Sequence, residues 1–181
     1  DEYCRQLTAL RYRNGKIDGY LSRLHYFSDW IANNEQKGFV TDITKISGGV
    51  PDTLQLYFMS RNADRYPALQ RNATLVDGIA AQERSLNGKI IYYLPTFRLD
   101  SASLATIQSG DIIAFTTDIP GLDIAHVGIA IQNNGEVRLI HASSSQGRVI
   151  VENRSILQQL KDNKKFSGIR IIRPQNFESR K

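Results

Sequence analysis

An α+β fold, with N-terminal helices packed on a mainly antiparallel β-sheet, is what the order of hydrophobic patterns along this chain predicts. Two observations carry the prediction. Apolar residues recur at helical spacing in the first half of the 181 residues, whereas short β-branched runs separated by turn residues fill the second half. Helices first and strands afterwards mark an α+β fold rather than alternating βαβ units.

Residues 2–12 place Tyr3, Leu7 and Leu10 on one helical face, and Asn14-Gly15 ends that helix in a turn. Residues 22–35 carry Leu24, Phe27, Trp30 and Ile31 at helical spacing, which predicts a second amphipathic helix closing near Gly38. Residues 39–59 contain Gly48-Gly49 and Pro51 and read as irregular chain with short strands. A third helix is expected over 74–87, with Thr74 as N-cap and Asp77 three residues on.

Strands are expected at 89–94 (KIIYYL), 111–117 (DIIAFTT), 126–132 (HVGIAIQ), 136–141 (EVRLIH), 148–152 (RVIVE) and 168–173 (GIRIIR). Ser109-Gly110, Pro120-Gly121, Asn133-Asn134-Gly135 and Gln146-Gly147 separate them as hairpin turns. One short helix interrupts the strands at 155–162, with Ser155 as N-cap and Gln158 at the capping-box position. Two sequons, at Asn72 and Asn153, read as a helix start and a strand end.

Composition sets bounds on function. Apolar residues make up 41% and charged residues 23%, which is globular composition in a single domain spanning 1–181. No apolar run approaches the ~18 residues of a membrane span. The charge of +5 is dispersed rather than gathered into a stripe with interleaved aromatics, so nucleic acid is not an expected partner. The plain reading of the charge is a solvated basic surface, and a surface attracted to an anionic polymer such as a cell wall is the sharper alternative. One cysteine excludes an intrachain disulfide and a cysteine-rich zinc site.

The chain has three histidines, His25, His126 and His141. His126 opens one predicted strand in AHVGIAI, and His141 closes the next in RLIHASS. The NNGE turn between them makes those strands a hairpin, so both rings belong to one end of the sheet. One ring is then a candidate general base and the other its orienting partner. Gly128, two residues after His126, leaves the ring open to approach. Two unrelated hydrogen-bonded histidines are the plain alternative, and a zinc site would need further ligands. His25 reads as a surface or capping residue, and Asp123 as a turn residue after Pro120-Gly121 or an orienting carboxylate.

SGDIIAF, AHVGIAI and LIHASS, in that order, resemble the NlpC-type branch of the papain-like cysteine peptidases. On that likeness Gly110-Asp111 enters the strand ahead of the catalytic histidine, His126 is the catalytic histidine and His141 the orienting residue. Over nearly the whole chain, LRYRNGKIDGYLSRLHYFSDWI, YFMSRNADRYPAL, GLDIAHVGIA and GIRIIRP are similar to the bacterial N-acetylmuramoyl-L-alanine amidase-like subfamily. The resemblance implies a papain-like fold and a cysteine-dependent peptidoglycan hydrolase of the cell envelope, periplasmic or secreted. It implies that the amide between muramic acid and the stem peptide is cut, or else a bond within the peptide, with no cofactor. Tyr20, Arg23, His25 and Tyr26 would line the substrate groove, and Arg23 would pair with a stem-peptide carboxylate. Asp123 would orient a histidine or the substrate amine. The family nucleophile is a cysteine at a helix start, in a segment like Asp-Cys-Thr-Thr-Phe-Val-Glu ahead of RYRNG, and nothing in the chain matches it. Cys4 therefore reads as an incidental thiol, with Cys4 as the nucleophile near a helix N-terminus the lesser alternative; the nucleophile is expected upstream of Asp1, and the 181 residues alone are expected to be inactive. A peptidoglycan-binding module without catalysis is the alternative.

Overall fold

The computed structural model describes residues 26–70, 72–133, 135–143 and 145–175. The helix expected over 2–12 and the first residues of the one expected over 22–35 lie outside them, as do Cys4, Tyr20, Arg23 and His25.

The described elements run α1 (Phe27–Gln36), β1 (Val40–Asp42), β2 (Val50–Thr53), α2 (Phe58–Arg61), α3 (Ala73–Leu86), β3 (Ile90–Pro95), α4 (Ser101–Ala105), β4 (Ile112–Thr117), β5 (Ile124–Asn133), β6 (Glu136–Ser143), β7 (Arg148–Val151), α5 (Ile156–Asp162) and β8 (Phe166–Pro174). The strands form one antiparallel sheet in the order β2-β3-β8-β4-β5-β6-β7, with β1 also paired to β8. The α+β class and the β4-β5, β5-β6 and β6-β7 hairpins are as the patterns predict, whereas the strands on either side of Ser109-Gly110, β3 and β4, are separated by β8.

Alternation along the strands sorts side chains onto two faces. On one face Ala114 of β4 and Ile172 of β8 meet Ile31 of α1 and Val40, with Phe27, Trp30, Ile124 and Val127 packed around them. On the other, Ile113, Phe115, Leu139, Ile169 and Ile171 form the main core under Ile156 and Leu160 of α5. A third cluster joins Tyr26, Leu54, Leu56, Tyr66, Leu69, Ile79 and Leu86, which anchors α3 away from the sheet centre.

Helix starts follow local chemistry, with one correction. Ser155 and Gln158 form the expected capping box of α5. The cap of α3 is Asn72, not Thr74: the Asn72 side chain accepts from the Leu75 backbone N–H at 3.1 Å. Both residue types serve as caps, and only the chain's entry angle selects between them. The stretch 39–59, expected to be irregular with short strands, also contains the start of α2. Asp100 and Ser103 cap α4, a helix the patterns do not reveal.

Close approach of β3 to β8 demands a glycine. A Cβ on Gly168 would lie 2.3 Å from the Leu94 carbonyl oxygen, opposite the Pro95–Gly168 pairing. Gly168→Ala is therefore expected to cost roughly 1–3 kcal/mol, the usual penalty for overfilling a packed contact. Urea unfolding measures it.

Candidate active site

The site begins with an irregularity in the pairing of β4 and β5. Phe115 pairs with His126 but Thr116 pairs with Ile124, which leaves Ala125 as an extra residue on β5. A bulge of this kind re-aims the side chains on either side of it. Here it lets both Ile124 and Val127 face α1, while His126 turns to the opposite face and its ring packs 6.0 Å from that of Phe115. The strand thus starts at Ile124, two residues before the expected His126.

His141 comes from β6, which pairs with β5 across the short turn. The two rings meet: His126 Nε2 and His141 Nδ1 are 2.8 Å apart, with ring planes crossed at 85°. The juxtaposition expected from the hairpin is present. Gly128 makes room for it, since a Cβ there would lie 3.1 Å from the Ile140 carbonyl oxygen and 3.3 Å from His141 Cβ. The Gly110-Asp111 strand entry is held in place structurally. Gly110 takes a positive φ of 97°, and Asp111 accepts both Nε and Nη2 of Arg173, at 2.9 and 2.7 Å.

One further group lies at the site, and residue patterns do not point to it. The Glu152 carboxylate is 3.7 Å from His141 Nε2, and both side chains are largely enclosed. Glu152 follows β7, where His141 pairs with Ile150, so Glu152 is the diagonal neighbour of His141 across the ladder. Arg154 forks onto Glu152 through Nε at 3.3 Å and Nη2 at 3.0 Å and reaches Asp162 through Nη1 at 3.2 Å. These hydrogen bonds from Arg154 outweigh burial and hold the Glu152 carboxyl well below the usual range, at about 2. Only the register of β6 against β7 brings Glu152 to the site.

The other expected site residues separate. Asp123 accepts the Ser28 hydroxyl at 2.9 Å and its backbone N–H at 3.4 Å, tying the β5 entry to the start of α1. It also borders an open cleft of about 360 Å³ with Tyr93, Thr116, Asp118 and Leu122. Tyr26 departs from the expected groove wall. It is 4% exposed, and its hydroxyl donates to the buried Glu83 carboxylate, which also receives the Ser60 hydroxyl and, at 3.1 Å, the Ser60 N–H. Burial and the Glu83 contact push the Tyr26 hydroxyl far above its ordinary pKa. Losing one donor to a buried carboxylate costs about 1–3 kcal/mol. Tyr26→Phe is thus expected to lower the unfolding free energy by that amount in urea while leaving muropeptide affinity unchanged. Among the described residues, no three His, Cys, Asp or Glu are placed to hold a metal ion, and no helix is long and apolar enough to cross a membrane.

A structure from Bacteroides fragilis, described provisionally as a xylanase, is 45% identical, with a TM-score of 0.80 over 91% of this chain and 71% of its own. An N-acetylmuramoyl-L-alanine amidase from Bacteroides uniformis is 43% identical, with a TM-score of 0.82 over 92% of this chain and 70% of its own. A Legionella pneumophila protein shares the fold at 20% identity, with a TM-score of 0.57 over 82% of this chain and 60% of its own. No curated protein matches the chain. The AmiA-like family model, N-acetylmuramoyl-L-alanine amidase-like, matches residues 1–169, and the chain belongs to that family.

Proposed function

We propose that the protein is a cysteine-dependent peptidoglycan amidase of the papain-like, NlpC-type branch, cutting the amide between muramic acid and the stem peptide in the cell envelope. The 2.8 Å contact between His126 and His141 carries this reading, because it sets a candidate base against a candidate orienting partner. Family membership supplies the substrate class.

In the proposed reaction His126 takes the proton of the cysteine thiol, and the thiolate attacks the amide carbonyl. As the tetrahedral intermediate collapses, the C–N bond breaks and the same ring returns the proton to the leaving amine; water, deprotonated by that ring, then attacks the thioester, and the proton returns to the departing thiolate. His141 keeps the His126 ring in the productive orientation throughout, as the third member of a triad does. Asp123 borders the cleft that would take the peptide, and Tyr20, Arg23 and His25 remain its proposed further contacts.

Glycoside hydrolysis is the competing chemistry, given the description of the Bacteroides fragilis relative. It requires two carboxyl groups flanking the scissile bond, one of them a protonated acid near neutral pH. The described carboxylate beside the dyad is Glu152, and Arg154 keeps it ionised down to about pH 2. That favours acyl transfer over glycoside cleavage.

Alkylation decides whether the enzyme is a cysteine amidase. The natural protein should release stem peptides with a free L-alanine amine from muropeptides, iodoacetamide should abolish the release, and a metal chelator should not. Peptide mapping of the alkylated residue then identifies the nucleophile, Cys4 or another cysteine. Activity that survives complete alkylation would overturn the mechanism. Cleavage within the stem peptide would make the protein an endopeptidase, and binding without release would make it a recognition module.

A further inference from the structure

We propose that Glu152 is a positioning residue of this site: its carboxylate, clamped by Arg154, orients His141 and sets the direction of the hydrogen bond between His141 and His126. The inference deepens the amidase reading and rests on it for the catalytic consequence.

The contact between the two rings does not by itself fix the direction of that hydrogen bond. His126 Nε2 and His141 Nδ1 face each other at 2.8 Å, and either nitrogen can carry the proton. The far side of the His141 ring removes the ambiguity. His141 Nε2 is enclosed and meets no hydrogen-bond acceptor closer than the Glu152 carboxylate at 3.7 Å. A lone pair on Nε2 would point at a negative charge, whereas an N–H there is attracted to it. The stable neutral tautomer of His141 therefore carries its proton on Nε2 and presents a lone pair at Nδ1. That lone pair accepts the His126 Nε2–H. The lone pair of His126 is then on Nδ1, the nitrogen turned away from His141, and this is the atom that takes the thiol proton.

The clamp fits this role. Arg154 donates to Glu152 through Nε, Nη2 and its backbone N–H, and the Glu152 N–H donates to the Leu139 carbonyl at 2.8 Å. The carboxylate thus has a fixed backbone and fixed oxygens, with Oε2 shared between Arg154 and His141. The charged groups around it are His141 from β6, Arg154 from the turn before α5 and, beyond Arg154, Asp162 of α5.

The test is nitrogen-15 NMR of the histidine rings in the full chain, which needs no substrate. The native protein should show His141 as the Nε2–H tautomer with a bare Nδ1. Glu152→Gln keeps the size and removes the charge. It should shift His141 toward the tautomer with its proton on Nδ1. On muropeptides it should lower kcat about tenfold with KM unchanged, the scale of outer-shell support to a working imidazole. A native protein that shows the stated tautomer but cleaves no muropeptide would sink the amidase reading and leave the positioning role standing. The positioning role is overturned if native His141 carries its proton on Nδ1, or if Glu152→Gln leaves the tautomer of His141 as it was.

Discussion

His126→Ala should lower kcat/KM for a muropeptide by roughly 10⁴-fold, about 5 kcal/mol of barrier. On the proposed mechanism the natural protein would then have no ring to take the thiol proton or to protonate the leaving amine. His141→Ala should cost less, on the order of 10²-fold, because the base remains and only its orientation is lost. The double variant should be hardly worse than His126→Ala, since the two rings act as a unit. The fold should survive all three changes. His126 is half-buried beside a bulge, and the main core lies deeper, around Phe115 and Leu139. Circular dichroism confirms that point, and product release measured by chromatography gives the rates. Retention of activity within tenfold in His126→Ala would remove the dyad from the chemistry.

The largest effect on stability is expected away from the dyad, at Arg170. This side chain is 3% exposed on the sheet face that α1 covers. It donates to Asp42 at 2.7 Å and to the Ser28 hydroxyl at 2.7 Å, and Ser28 in turn donates to Asp123. One guanidinium therefore joins β8, β1, the start of α1 and the entry to β5. Arg170→Met fills similar space but strands the Asp42 carboxylate, and breaking one partner of a buried pair costs about 3–5 kcal/mol. Adding Asp42→Asn should recover part of that loss, giving a coupling of roughly 1 kcal/mol or more in a double-mutant cycle. Equal losses in the single and double variants would show that packing, not the charge pair, sets the cost.

Features decided by neighbouring residues in sequence are legible before any coordinates. The turns at Gly110, Gly121, Gly135 and Gly147 all take positive φ, at 97°, 80°, 81° and 62°. The His126–His141 contact is legible for the same reason, because a short hairpin joins the two residues. Features decided by register or distant packing are not. The extra residue at Ala125 exists only in relation to β4. Glu152 looks like the tail of an ordinary strand until β7 is laid against β6. Tyr26 stands in a stretch that suggests a groove, yet its partner Glu83 lies 57 residues away and draws the ring into the core. Asp123 reads as a turn residue, and its link to Ser28 spans 95 residues.

The placement of β8 has a consequence for how the molecule assembles. This strand comes after every other described strand in sequence, yet it sits in the middle of the sheet, paired with β1, β3 and β4. Before it is synthesised, β2 with β3 and β4 through β7 are two separate half-sheets, each with an open edge and an incomplete core. The hairpin that brings His126 to His141 belongs wholly to the second half-sheet and closes a loop of few residues, a microsecond event. Union of the halves needs partners far apart in the chain, and loop closure over such distances is slow. A nascent chain should therefore carry an assembled pair of imidazoles well before it has a folded body, and protection from exchange of the β3 and β4 backbone amides that pair with β8 should appear only after residues 166–174 have left the ribosome.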